Sequence, residues 1–207
     1  MDPSLLKVIA AELDDELSGG VVSKIHQSDD RTLILRIFIR GRDFKLLVSA
    51  RHSLPRLHLT DRSYPNPPSP LRFCAFLRSR ITNARIEGVA QTGFERIAVI
   101  EFAKKDGEDI RKMRLVAELT GKSSNIILVD DNDIVLDALR FFGPESARPV
   151  VPGEKLGPLP AAHGAKEEEA ISKQEGESWN SAADRHYSAL VEDDEFTREK
   201  SALKKII

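Results

Sequence analysis

Between Arg85 and Phe142 five short runs carry apolar residues at a spacing of two: RIEGVAQ, RIAVIEFA, KMRLVAEL, NIILVD and IVLDALRFF. That spacing sends side chains alternately to the two faces of a strand. The connections are short and hold Gly93, Asp106-Gly107, Gly121 and Asp131-Asn132. Parallel neighbours need a crossover of about a dozen residues or more, so strands joined this closely pair antiparallel. The segment predicts a five-stranded meander.

Upstream, Asp2-Pro3 suits a helix N-cap followed by proline in the first turn. Leu5, Leu6, Ile9, Leu13 and Leu17 then recur at helical spacing, and Gly19-Gly20 ends the helix. The runs VVSKIHQ, TLILRIFIR and FKLLVSA read as strands joined by hairpin turns, with RLHLT as a further short strand. YPNPPSP cannot pair inside a sheet and reads as a loop. Ser69-Pro70 is expected to cap a second helix, LRFCAFLRSRI, burying Leu71, Cys74, Leu77 and Ile81 and turning Arg72, Arg78 and Arg80 elsewhere. From Pro144 onward the pattern weakens into a Pro, Gly and charge-rich stretch without a core of its own. The tail, with sparse Tyr187, Leu190, Val191, Leu203 and Ile206, reads as an exposed helix or coiled coil. The fold class is α+β: an antiparallel β-rich core over residues 1–155 with two flanking helices, a linker over 156–181 and a helix over 182–207. The last residues, LKKII, stop mid-pattern, which suggests a fragment of a longer chain.

Charge is distributed unevenly. The net charge is −2, yet residues 31–86 hold twelve Lys/Arg against two Asp/Glu. Residues 1–30 hold two against seven, and residues 126–207 hold ten against seventeen. A basic block in an otherwise acidic chain suits a polyanionic partner such as nucleic acid. One cysteine, Cys74, excludes an intrachain disulfide and suits a reducing compartment. With no basic-then-apolar leader and no apolar run of about 18 residues or more, the expected location is cytoplasmic, with no membrane partner.

Catalytic patterns are missing. GKS at Gly121–Ser123 imitates the end of a phosphate-binding loop, but the earlier glycine is replaced by Val116. A strand-forming run, NIILVD, follows it where a helix N-terminus should face the phosphates. His26, His52, His58, His163 and His186 lack Cys or carboxylates at ligand spacing, apart from the weak pair His52 and His58. No metal site, cofactor or enzymatic activity is expected.

Three polar clusters remain. ARHSLPRLHLT supplies Arg51, His52 and Arg56; GFERI places Glu95 and Arg96 just after Gly93; GKSSN offers Lys122, Ser124 and Asn125 at a turn. Arg78 on the second helix joins them as a weaker candidate. Guanidinium and ammonium groups neutralise phosphates, and His, Ser and Asn reach ribose and base edges. These nine residues are the candidate RNA contacts.

At the same residues the chain resembles the NFACT family. The resemblance runs through LSGGVVSKIHQ, KLLVSARHSLPRLHLT, FCAFLRSRI, GFERIAVIEF, LVAELTGKSSNIILVD, IVLDALRFF and RPVVPGEKL, spread over residues 1–155. It implies a sandwich-like β-rich core, similar to the N-terminal domain of formamidopyrimidine-DNA glycosylases. It also implies ribosome quality control: binding of tRNA and of the large ribosomal subunit, with its 23S rRNA and obstructed peptidyl-tRNA, and alanine tailing of stalled chains. The family's Asp-Arg pair for tRNA recognition falls on Glu95 and Arg96, with the acidic side chain one methylene longer here. A glycosylase or lyase reading is weakened because Pro3 follows Asp2, leaving its nitrogen in an amide. A surface adhesin binding fibronectin is the other alternative, opposed by the missing leader and by the basic block.

Overall fold

The computed structural model describes residues 1–93, 95–159 and 171–203; expectations for residues 160–170 and 204–207 lie outside that range. Asp2 caps α1 (Pro3–Leu17), its carboxylate accepting from the Ser4 N–H at 2.8 Å and the Leu5 N–H at 3.4 Å. Leu6, Ile9, Ala10, Leu13 and Leu17 form its buried stripe. At Gly20 a Cβ would stand 2.6 Å from Ile37 Cγ2 and 2.9 Å from the Leu17 carbonyl oxygen, so only glycine lets the chain turn this tightly into the sheet.

Two meanders follow. The first is β1 (Val21–Asp29), β2 (Thr32–Ile39), β3 (Arg42–Ser49) and β4 (Arg56–Leu59). The second is β5 (Arg85–Gln91), β6 (Ile97–Asp106), β7 (Asp109–Glu118), β8 (Asn125–Asp130) and β9 (Val135–Ala138), the five strands expected from the spacing. They join as one antiparallel sheet of order β4-β3-β2-β1-β5-β6-β7-β8-β9. The joint is narrow: β1 and β5 share a single register pair, Val21 with Arg85, whereas β6 and β7 share ten. Backbone hydrogen bonds between residues 19–22 and 83–86 flank that pair; beyond them β1 and β5 part, and the two halves turn their apolar faces toward one core. Leu35, Ile37, Leu46 and Val48 from the first half and Ile100, Phe102, Leu115 and Leu128 from the second belong to the same buried cluster. The sandwich-like core is thus one sheet folded at its weakest seam.

The helix α2 (Arg72–Ile81) closes the side where the halves part. Arg78 Nε donates to the Ile25 carbonyl of β1 at 2.7 Å, and Cys74 Sγ reaches the same oxygen at 3.7 Å. At its other end Arg72 donates to Asp137 Oδ1 and to the Ala138 carbonyl of β9, both at 2.5 Å. Two expectations for α2 are corrected. Ser69 does not cap it; Leu71 is the N-cap residue and makes no side-chain cap bond. Leu71 therefore precedes the buried stripe and is 40% exposed, while Phe73 takes its place.

Two stretches of the C-terminal third, around Phe142–Leu156 and Trp179–Ser188, pack against the rest of the protein. Val150 pairs with Phe142 and packs with Ile127, Val129, Val135 and Ala138 in a second small cluster, flanked by Leu156. This stretch, expected to lack a core, shares one with the outer face of the second meander. The helix expected from 182 starts earlier, as α3 (Trp179–Leu203), and its first turns are docked, with Ala182, Ala183 and Tyr187 buried. Glu12 of α1 holds that end: its carboxylate accepts from the N–H groups of Trp179 at 2.8 Å and Asn180 at 3.0 Å. Asn180 Oδ1 in turn accepts from Leu59 N–H at 2.9 Å, satisfying a donor on the edge strand β4.

His58 sits under α3 with no exposure, its ring stacked with Tyr187 at 6.0 Å between centroids. Nδ1 lies 2.9 Å from the Leu59 carbonyl and 3.7 Å from Asp184 Oδ1, while Nε2 is buried with no partner. Burial drives its pKa down from 6.5 to about 3; the Leu59 carbonyl opposes the shift and the Arg56 charge adds to it. The ring is therefore neutral, donates from Nδ1, and forms no ion pair with Asp184 at neutral pH.

The unfolded chain takes up this proton below about pH 6.5, whereas the folded chain does not until about pH 3. Stability should thus fall as pH drops through that window, by roughly 1.4 kcal/mol per pH unit from this group. Denaturant titrations between pH 6.5 and pH 5 should show a shallower decline for His58→Gln; parallel declines would remove His58 as the cause. Separately, Glu12→Ala should cost about 1 kcal/mol, in the range of lost helix caps. Its hydrogen-exchange protection should fall mainly over Trp179–Ser188, and a uniform loss across the sheet would contradict a local clamp.

Candidate nucleic-acid interface

Because every strand runs antiparallel to its neighbours, alternate turns leave the sheet at the same end. Within the first meander the turn at Asp30-Arg31 and the loop 50–55 share one end, and within the second the turn 92–96 and the loop 119–124 share one end, in each case the end farther from the Val21–Arg85 seam. Folding the sheet at its seam then brings turns of the two halves together. The His52 carbonyl oxygen is the nearest atom to where a Gly121 Cβ would stand, at 3.8 Å. Met1 N donates to the Pro55 carbonyl at 3.4 Å, and Gln91 Nε2 donates to the carbonyls of Pro3 and Glu95 at 2.8 and 2.7 Å. The Leu119 N–H donates to the Arg96 carbonyl at 2.8 Å, locking the 92–96 turn against the 119–124 loop.

The GKS stretch is a single 3₁₀ turn, Gly121–Ser123, followed directly by β8. Its anchor is Asn125. Asn125 is fully buried; its Oδ1 accepts from Ile126 and Arg140 N–H groups, each at 3.0 Å, and its Nδ2 donates to the Arg140 carbonyl at 2.9 Å. Arg140 Nη1 completes the clasp by donating to the Lys122 carbonyl at 2.9 Å. Lys122 itself points to solvent.

On the neighbouring turns Arg51 Nη2 pairs with Asp29 Oδ2 at 2.8 Å, and Arg31 Nε lies 3.4 Å from Asp30. Burial works against a charge on Asp29. The Arg31 N–H and the Arg51 guanidinium outweigh it and hold the carboxyl below its ordinary range. Arg140 is pushed below the usual guanidinium value by burial first and by the charge of Arg31 second. Arg31, Arg51, His52, Lys122 and Arg140 thus converge, with Glu95 exposed and Arg96 half-buried on the adjoining turn.

Four of the nine expected contacts are corrected. Arg56 is 2% exposed and donates to the Leu54 carbonyl at 3.0 Å, so it braces the loop from beneath. Ser124 and Asn125 are both fully buried. They sit at the start of β8, where the strand enters the core, and they shape the turn without reaching a ligand. Arg78 lies on α2, away from this end of the sheet, with its Nε spent on Ile25. The weak pair His52 and His58 is split, with His58 fully buried under α3 and His52 exposed. Arg31 and Arg140 were missed. Arg31 lies inside the basic block and could have been found there; Arg140 arrives only through the Asn125 clasp, which no local pattern announces. Among the described residues no cluster of three or more His, Cys, Asp or Glu could hold a metal ion, and no helix is long and apolar enough to cross a membrane.

Known proteins are similar to this chain in sequence and in fold. The chain is 36% identical over 166 residues to the Rqc2 homolog RqcH of Bacillus subtilis, covering 73% of this chain and 29% of that protein. It is 29% identical over 136 residues to the human ribosome quality control complex subunit NEMF, covering 66% of this chain and 12% of that one. It therefore spans less than a third of the length of these relatives. Among solved structures, the N-terminal part of the Streptococcus suis fibronectin/fibrinogen-binding protein superposes with a TM-score of 0.74 at 33% identity, covering 79% of this chain and 62% of that one. The N-terminal domain of the Streptococcus pneumoniae fibronectin-binding protein PavA gives the same TM-score at 27% identity, covering 96% and 82%. The family model described as NFACT N-terminal and middle domains matches residues 2–191, and the chain belongs to the NFACT family.

Proposed function

We propose that this chain is the tRNA- and large-ribosomal-subunit-binding module of a cytoplasmic ribosome quality control factor acting on stalled nascent chains. It works by binding and not by catalysis. The observation that carries the reading is the convergence of Arg31, Arg51, His52, Lys122 and Arg140 at one end of the folded sheet, beside the Glu95-Arg96 turn. The names of the bacterial, archaeal, yeast and human relatives support it. Cations at this end neutralise phosphates of a tRNA such as the peptidyl-tRNA of an obstructed subunit. Glu95 serves as an acceptor for ribose hydroxyls or base amino groups. In longer relatives such a grip would present tRNA for alanine tailing.

Removing one cation from a phosphate should flatten the dependence of log K on log salt by about 0.7–0.9. Arg96→Ala and Lys122→Ala should each show that change in tRNA binding, with weaker affinity at every salt concentration. Lys122→Ala, at an exposed site, should leave the melting temperature unchanged. Unaltered affinity and slope in both variants would remove this end of the sheet from the interface. The solved neighbours are named for fibronectin binding, which makes a parallel assay. Fibronectin capture with no tRNA binding would replace the proposal.

A further inference from the structure

A second cationic site lies at the opposite end of the sheet. The C-terminal turn of α2 meets the base of the β6–β7 hairpin around a surface cleft of about 330 Å³, lined by Ser79, Arg80, Lys104, Lys105, Asp106 and Arg111. Four cations face one carboxylate, and that carboxylate is engaged by Arg111. Lys104 Nζ lies 3.4 Å from the Ser79 carbonyl, which steers it into the cleft. Arg80 stacks over Phe76 at 5.2 Å, and its Nε is buried without a hydrogen-bond partner. Lys105 is exposed and has no ion-pair partner among the described residues. The hairpin tip carries Glu108 and Asp109, and Glu87 lies 3.6 Å from Lys112, so the positive character is confined to the cleft and does not extend over the tip.

Clustered cations repel one another and lose hydration when packed together, so the arrangement is most favourable with an anion among them. The buried, unsatisfied guanidinium N–H is a donor waiting for an acceptor, and leaving it unpaired is unfavourable. Phosphate oxygens suit both needs. The position narrows the choice of phosphate. The ten residues of β6 separate this cleft from the 92–96 turn by roughly 30 Å at about 3.3 Å per residue. A folded RNA is long enough to span that distance with its phosphate backbone. Between the two ends runs α2, carrying Arg72, half-exposed and stacked on Phe141 at 4.6 Å, and then Arg80.

We propose that the cleft of Arg80, Lys104, Lys105 and Arg111 is a second RNA-backbone site. It holds phosphates roughly 30 Å from those at the 92–96 and 119–124 turns, so that a single folded RNA lies along α2 and is gripped at both ends. This rests on the RNA-binding reading above and adds a site to it. Two weak contacts on one rigid body reinforce each other, because the second forms at a high effective concentration once the first is made.

The test is tRNA binding as a function of salt for the full chain, the pair Lys104→Ala/Lys105→Ala, the pair Arg96→Ala/Lys122→Ala, and all four together. Acetylation of Lys104 and Lys105 in the unaltered chain, with and without tRNA, gives a measurement that depends on no variant folding. We expect the Lys104/Lys105 pair to flatten the slope by about 1.4–1.8, the combined variant to lose the sum, and bound tRNA to protect both lysines. If the Lys104/Lys105 pair keeps the full slope and both lysines acetylate equally with tRNA present, while the Arg96/Lys122 pair flattens it, the second site is wrong and the first stands. If only the Lys104/Lys105 pair changes the slope, the second site stands and the interface at the turns fails. If the unaltered chain binds no tRNA, both fall.

Discussion

A nine-stranded antiparallel sheet that stayed open would leave an apolar face in water, and the single residue pair between β1 and β5 is what prevents it. Strands that share ten pairs cannot swing relative to one another, whereas strands that share one can. The sheet folds there, and both meanders bury their apolar faces in a common core. Shortening any one of its large side chains, such as Leu35 or Leu115, to alanine would cost about 2–5 kcal/mol. That fold also decides where the polar turns go. Antiparallel order sends alternate turns to one end, and closure at the seam sets the loop after β3 against the loop after β7.

Polar groups inside the protein hold those turns in place. Asn125 spends its amide on two N–H groups and a carbonyl, fixing the Lys122 turn to the chain leaving β9. Glu118 and Arg148 form a two-point ion pair, at 3.0 and 2.5 Å, with the carboxylate 1% exposed. Burial raises the Glu118 pKa despite the guanidinium, so the pair fixes geometry and is a poor source of net stability. Arg56 braces its own loop from beneath. Each of these residues could pass for a ligand-binding group by its chemistry, and each is consumed by the fold. Above them His52 and Lys122 are exposed, beside the half-buried Arg31, Arg51 and Arg140.

How much of this could be read from the sequence follows from how local each determinant is. The Asp2 cap, the strand runs from Arg85 onward and the Pro-rich loop depend on neighbours in the chain, and the structure has them where the spacing placed them. The candidate site divides on the same principle. Lys122, His52 and the Glu95-Arg96 turn lie at tight turns that stay at the surface wherever the strands go. Ser124, Asn125 and Arg56 lie two to four residues away, at or just before the start of strands that enter the core, and only the pairing partner decides that they are buried. Arg140 was invisible because its place depends on Asn125, fifteen residues earlier. Trp179 and Asn180 looked like the end of a linker because their anchor, Glu12, is more than 160 residues away.

The central claim is that the turns gathered by the folded sheet form the RNA-facing surface, and mapping photo-crosslinks between tRNA and the full chain tests it most directly. The account predicts crosslinked peptides from the loop 50–55, the turn 92–96 and the loop 119–124. Crosslinks confined to α3 and the outer face of β8 and β9, with none at those three turns, would contradict it.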